Sequence, residues 1–409
     1  MKKIYFLAVF LIIIVVLLGG CNPDESSNNN EAQIITEETG ETDNDLETQD
    51  SVQEPVVDDL DELASLYNDT THNNLRNTQN LDDDNTMMAS SKSNNFYYSP
   101  FTGQAVSEQL LRKALIVIIE NSPAARPQSG LEEASIVYEV LVEGGITRFI
   151  ALYWDSIPEK IGPIRSARPY IIDIAKEYNA LLLHAGASPE GFAMLAEGDL
   201  EHLDQIYRSR YYWRSSDRRA PHNLYTGKNR IEEYLDRLIG QEYQQMFSFR
   251  QVSFIKPQDQ LADVIKIPYW GGTVVTYRYN SQENQYYRYS GSMETPHLLD
   301  NNKQITANNI VVQHARTRQI DDVGRLSIEL DNRGSSFVFT DGMVIEGFWE
   351  KDSDGHTKFY NNHGEKINLN SGQTWIELVP DTIEVEFTDS SILDKNGDLS
   401  NTNETNINE

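Results

Sequence analysis

The sequence predicts a mixed-sheet α/β domain followed by a small antiparallel all-β domain, an α+β and α/β combination carried behind a disordered tether. Three observations predict it. Residues 96–262 alternate short apolar, β-branched runs with helix-period segments. Residues 263–388 hold short strand-like runs punctuated by turn residues. Residues 21–95 are acidic and rich in Asn, Ser and Thr, with almost no aromatic side chains, so they cannot bury enough apolar surface to offset the entropy of ordering them.

The chain opens on Lys2 and Lys3, an unbroken apolar run over residues 4–18, and Leu18-Gly19-Gly20-Cys21. That run has the length of a signal h-region and is too short to span a bilayer. The pattern is a lipobox: a signal peptide over residues 1–20, cleavage before Cys21, and thioether lipidation of that residue with palmitate-type acyl chains. Cys21 is the sole cysteine of the 409 residues, which excludes an intrachain disulfide and Cys-ligated zinc. The expected address is the outer face of the cytoplasmic membrane. As a flexible chain of about 74 residues, the tether spans roughly 50 Å. Within it, residues 56–67 place Leu60, Leu63 and Leu66 at helical spacing and read either as a docking element or as plain linker.

Of the net charge of −29, about −17 belongs to the tether, about −4 to an acidic tail at residues 389–409 and about +2 to the signal segment, leaving about −10 for the body. Nucleic acid is therefore a poor partner for the whole molecule, although local basic clusters remain possible.

In the body, residues 114–119 form a compact apolar strand, and a loop with Pro123, Pro127 and Gly130 leads to a second strand at 135–142. Gly144-Gly145 reads as a two-residue turn into a returning strand at 146–154. Gly162-Pro163-Ile164-Arg165-Ser166-Ala167-Arg168 enters a helix at 169–178, and 181–184 is a short buried strand. Ser188-Pro189-Glu190 is an N-cap with proline at the first helical position, and a further helix spans 228–239. A hairpin among α/β units implies a mixed sheet. The second half has strands at 273–279, 285–289, 309–316, 325–330, 336–340, 343–349 and 374–379, with Asp341-Gly342 as a hairpin turn. They predict an open barrel or sandwich.

Several strings agree in order with one family: Ser129-Gly130-Leu131, Tyr138-Glu139-Val140, Glu143-Gly144-Gly145-Ile146-Thr147-Arg148, the 162–168 run, and Ala220-Pro221-His222-Asn223-Leu224-Tyr225. The second half adds Gly324-Arg325, Asp341-Gly342, Gly347-Phe348-Trp349 and Gly372-Gln373-Thr374-Trp375-Ile376. The body resembles the YerB-type bacterial lipoproteins, with the N- and C-terminal domains of domain of unknown function 3048. That resemblance implies a two-domain surface lipoprotein of a Gram-positive bacterium and brings no established reaction.

Candidate site residues come from charge and position. With a two-residue turn, Glu139, Glu143 and Arg148 share one sheet face, and the two carboxylates lie about 13 Å apart. That exceeds the ~5–5.5 Å and ~6.5–9.5 Å separations of glycosidase pairs, leaving either an Arg bridging two Glu or a polar site floor. Arg165, Ser166 and Arg168 stand at a helix start, where cations oppose the macrodipole; either an anion binds there or the arginines pair with Glu139, Glu143 or Asp173. His184 and Ser188 sit at the carboxyl end of a strand, the usual ligand side of an α/β sheet. Ser188 is not in G-x-S-x-G, because Glu190 replaces the second glycine, so it reads as an N-cap. His184 is a core histidine or a general base. Arg219, His222 and Asn223 lie in a polar loop, free to touch a ligand. No His pair has H-E-x-x-H spacing, so no metal is expected, and no cofactor is implied. These readings favour a membrane-anchored binding or adaptor module for an anionic envelope ligand or a protein partner. The alternatives are a metal-independent envelope glycan or peptide hydrolase using Glu139, Glu143 or His184, and a pure scaffold.

Overall fold

The computed structural model describes residues 97–238, 240–250 and 260–389; the lipobox, the tether with its 56–67 segment and nearly all of the acidic tail lie outside the described residues. Apolar and β-branched runs become strands: β1 (Leu115–Glu120), β2 (Ile136–Leu141), β3 (Thr147–Tyr153), β4 (Leu181–His184), β5 (His202–Asp204), β6 (Gln260–Leu261), β7 (Val264–Pro268) and β8 (Val274–Asn280). These are followed by β9 (Gln285–Ser290), β10 (Asn309–Ala315), β11 (Arg333–Thr340), β12 (Met343–Lys351), β13 (Thr357–Asn361), β14 (Thr374–Pro380) and β15 (Glu386–Thr388). The helices are α1 (Pro169–Glu177), α2 (Pro189–Leu195) and α3 (Lys228–Arg237). Proline stands at the first position of α1 and of α2, and the Ser188 hydroxyl caps α2 by accepting from Gly191 N at 3.1 Å.

Among the described residues eleven strands form one sheet in the order β6-β12-β11-β10-β14-β2-β3-β1-β4-β5, with β13 beside β12. A six-stranded sheet runs β9-β8-β7-β15, with Thr295–Pro296 and Thr306–Ala307 beside β9. The expectation of an all-antiparallel second half is corrected at β14, which lies parallel to β2 on one side and to β10 on the other. Strands from both halves of the chain thus share one sheet. The physical reason is burial: every residue of β2 is buried, so its backbone groups need partners along both edges. The equally buried β14 supplies the second edge.

The hairpin differs from expectation by one residue. Its connection is Glu143–Gly145, with Gly144 and Gly145 at φ of 73° and 70°, and Leu141 pairs with Thr147 while Val140 pairs with Arg148. A one-residue slip sends every side chain to the other face. Arg148 therefore shares a face with Tyr138 and Val140, against α1, whereas Glu139 points to the opposite face with Phe149, against the six-stranded sheet. Tyr138 meets Tyr178 at the end of α1, OH to OH at 2.8 Å, which fixes the first face. Trp375 meets both Phe149 and Tyr277, which fixes the second.

Candidate functional site

β1, β2, β4 and β5 run in the same direction, so their carboxyl ends meet the start of β3 at one end of the sheet. Charged residues gather there. Glu120 closes β1 directly opposite Arg148. Its carboxylate is almost fully buried and accepts from Arg165 Nη2 at 2.7 Å, from Ser122 Oγ at 2.7 Å and from His222 Nδ1 at 2.9 and 3.0 Å. Burial alone would raise the Glu120 pKa, but the bonds from Arg165, Ser122 and His222 outweigh it and hold the carboxyl below its ordinary value.

Arg168 precedes α1 and grips Glu143 with two bonds, Nε to Oε1 at 2.5 Å and Nη2 to Oε2 at 2.8 Å. The Glu143 pKa is lowered as well, with the Arg168 bonds overcoming burial. Arg148 donates to the Ser166 carbonyl at 2.5 Å, and Arg168 reaches the Ser166 hydroxyl at 3.3 Å. Among the described residues no carboxylate lies within ion-pair distance of Arg148. Burial and the neighbouring Arg168 charge depress its pKa to about 10. Among the described residues the two carboxylates of the cluster are thus held by Arg165 and Arg168, and Arg148 stands beside them unpaired.

The sequence-predicted residues separate into groups. Arg165, Ser166, Arg168, Arg148, Glu143 and His222 come together, with Glu120 as a binding carboxylate that the sequence reading missed. A signal existed, since Glu120 is the single charge at the end of an apolar strand. Glu139 is not part of this group. The idea of Arg148 bridging Glu139 and Glu143 is corrected, because the hairpin register puts Arg148 and Glu139 on opposite faces. His184 is buried, with Nδ1 on the Gly186 carbonyl at 2.9 Å and Nε2 on His202 at 3.0 Å, and burial lowers its pKa. Both ring nitrogens are engaged. Ser188 is occupied as the α2 cap. Asn223 is buried, donating to the Ser215 and Arg218 carbonyls, whereas Arg219 is exposed.

On the opposite face Glu139 joins a buried network. Its carboxylate accepts from Arg288 at 2.7 Å, from Thr147 at 2.6 Å and from Asn121 at 3.1 Å, and the Arg288 side chain also meets His297. Glu377, the register partner of Glu139 on β14, accepts from Tyr269 at 2.7 Å and Tyr277 at 2.5 Å. Its pKa is pushed up to about 8 by burial and by the Glu139 charge. Glu139, Arg288 and Glu377 are all fully buried, so this network joins the two sheets and is closed to solvent. A separate cavity of about 440 Å³, lined by Leu131, Ser135, Asp155, Lys303 and Gln373, opens where the two halves of the chain meet.

Residues 101–242 match the N-terminal domain, and residues 265–376 the C-terminal domain, of a protein family of unknown function, DUF3048. The chain belongs to the DUF3048 family. It is 32% identical over 291 residues to a protein of Bacillus subtilis (strain 168) whose given name calls it a lipoprotein, YerB, covering 69% of this chain and 86% of that one. The crystal structure of YerB from Bacillus subtilis superposes with a TM-score of 0.63 at 28% identity, over 71% of this chain and 99% of that one. The DUF3048 assignment spans both halves, whose strands share the eleven-stranded sheet. In this DUF3048 chain the division between the two family domains therefore crosses a continuous sheet.

Proposed function

We propose that the protein is a lipid-anchored envelope lipoprotein, attached through Cys21, whose body binds an anionic ligand at the arginine cluster formed by Arg148, Arg165 and Arg168. The observation that carries this reading is Arg148: a largely desolvated guanidinium beside Arg168, with a single main-chain hydrogen bond and no carboxylate in ion-pair reach among the described residues. Such a group is stabilised by an incoming anion. The cluster lies at the carboxyl ends of parallel strands and beside the start of α1, where the helix dipole adds to the attraction. The similarity to a protein named as a lipoprotein supports the anchor.

An adaptor role has its own support. Phe192, Ile206 and Tyr207 are exposed by 38%, 59% and 75%, and the first two flank Gly186, beside the main chain of Arg165 and Ala167. Apolar side chains around a charged floor suit a protein segment.

Thermal unfolding with and without inorganic phosphate tests the anion site. Phosphate is expected to raise the midpoint of the parent protein. Arg148→Gln is expected to abolish that shift while leaving ligand-free stability unchanged or higher, because it removes a desolvated like charge. A parent protein indifferent to phosphate would overturn the reading.

A further inference from the structure

The His222 ring is held at one nitrogen only. Nδ1 lies 2.9 and 3.0 Å from the two oxygens of Glu120, and among the described residues Nε2 has no hydrogen-bond partner on a side chain that is 28% exposed. Glu120 is itself fixed by Ser122 and Arg165, so the carboxylate sets the tautomer: Nδ1 carries the proton and Nε2 presents a lone pair. Arg165 and His222 share Oε1 of Glu120, so the imidazole is tied through that carboxylate to the arginine cluster. A carboxylate-oriented imidazole with its far nitrogen free is the arrangement of a general base.

From this arrangement we infer that His222 is a general base for hydrolysis of a phosphodiester held at the arginine cluster, an inference that rests on the anion-site reading above. Planar guanidiniums match phosphoryl oxygens in pairs, which favours a phosphate diester as the substrate class. In the step, Nε2 takes a proton from water and the water oxygen bonds to phosphorus. The bond from phosphorus to the leaving oxygen breaks, and that oxygen departs with the electron pair. The imidazolium then returns the proton to the leaving group or to solvent. Arg165 and Arg148 stabilise the charge developing on the phosphoryl oxygens, and Glu120 is a positioning residue.

The experiment uses the full-length chain in detergent, with bis(p-nitrophenyl) phosphate for turnover and inorganic phosphate for binding. Nitrophenolate release above the buffer rate is expected. His222→Gln, whose partly exposed loop position favours a retained fold, is expected to lower kcat by about 10²–10⁴-fold with KM nearly unchanged. Glu120→Gln is expected to lower kcat less, with partial recovery in Glu120→Asp, and melting curves separate these effects from unfolding. Phosphate binding without turnover overturns the general base and spares the anion site; loss of both overturns both readings. A His222→Gln effect confined to KM also overturns the general base.

Discussion

Glu377 and Glu139 face each other across β14 and β2, and among the described residues the Arg288 guanidinium forms its ion pair with Glu139. A second buried carboxylate beside an ion pair that is already neutral is best kept protonated, which is why burial and the Glu139 charge raise the Glu377 pKa to about 8. The folded value lies above the unfolded one, so the native state holds an extra proton between them. The stability tied to that proton is complete below the ordinary glutamate value and is lost as pH rises through about 8. Glu377→Gln keeps the shape and removes the titration. Urea unfolding of variant and parent at pH 5 and pH 9 is expected to favour the variant increasingly as pH rises, by up to a few kcal/mol; a difference independent of pH would contradict a neutral Glu377. At this scale the sequence was partly legible. Ser188 before Pro189 identifies its own cap, because capping is local, whereas Glu377 advertises only a charge within an apolar strand and its neighbour Glu139 is 238 positions away by number.

The β2–β3 hairpin decided which residues meet. Its two glycines have similar left-handed backbones but different surroundings: a Cβ on Gly144 meets nothing within 4 Å, whereas one on Gly145 comes to 2.6 Å from the Gly271 Cα. The hairpin tip thus rests on the Trp270–Gly272 turn that precedes β8, and Thr273 Oγ1 donates to the Gly145 carbonyl at 2.9 Å. Gly144→Ala is expected to cost about 1–2 kcal/mol, from backbone conformation alone. Gly145→Ala is expected to cost more than that, because backbone must also move. Equal losses in denaturant titrations would argue against the packed tip. The sequence identified a glycine hairpin here but not its loop length. Two or three connecting residues are both compatible with Gly-Gly, and the choice falls to the packing of Glu139 and Arg148 on their separate faces.

Over the whole molecule, the insertion of β14 between β2 and β10 joins the two DUF3048 domains in one sheet. A chain cut after residue 262 loses both the β14 edge of β2 and the six-stranded sheet that covers the Glu139 and Phe149 face, which leaves unpaired strand backbone and buried apolar side chains open to water. Residues 97–262 expressed alone are therefore expected to lack fixed tertiary packing, with poor near-UV dichroism and exposed apolar surface. The full body is expected to unfold in one transition. An independently folded fragment with native-like dispersion of amide resonances would show that the two halves are separable.

What depends on neighbours along the chain was legible before folding: the acidic composition of the N-terminal segment, most strand and helix positions, the α2 cap, the Asp341-Gly342 turn and the family. The sequence also placed Arg165, Arg168 and His222 among the candidate ligand residues. Folding in three dimensions set the rest: β14 lies parallel to β2, Arg148 and Glu139 occupy opposite faces, and Glu120 gathers Arg165, Ser122 and His222. Hydrophobic period and turn chemistry are written in a few consecutive residues, whereas strand partners and ion pairs are selected by the joint burial of segments far apart in the chain.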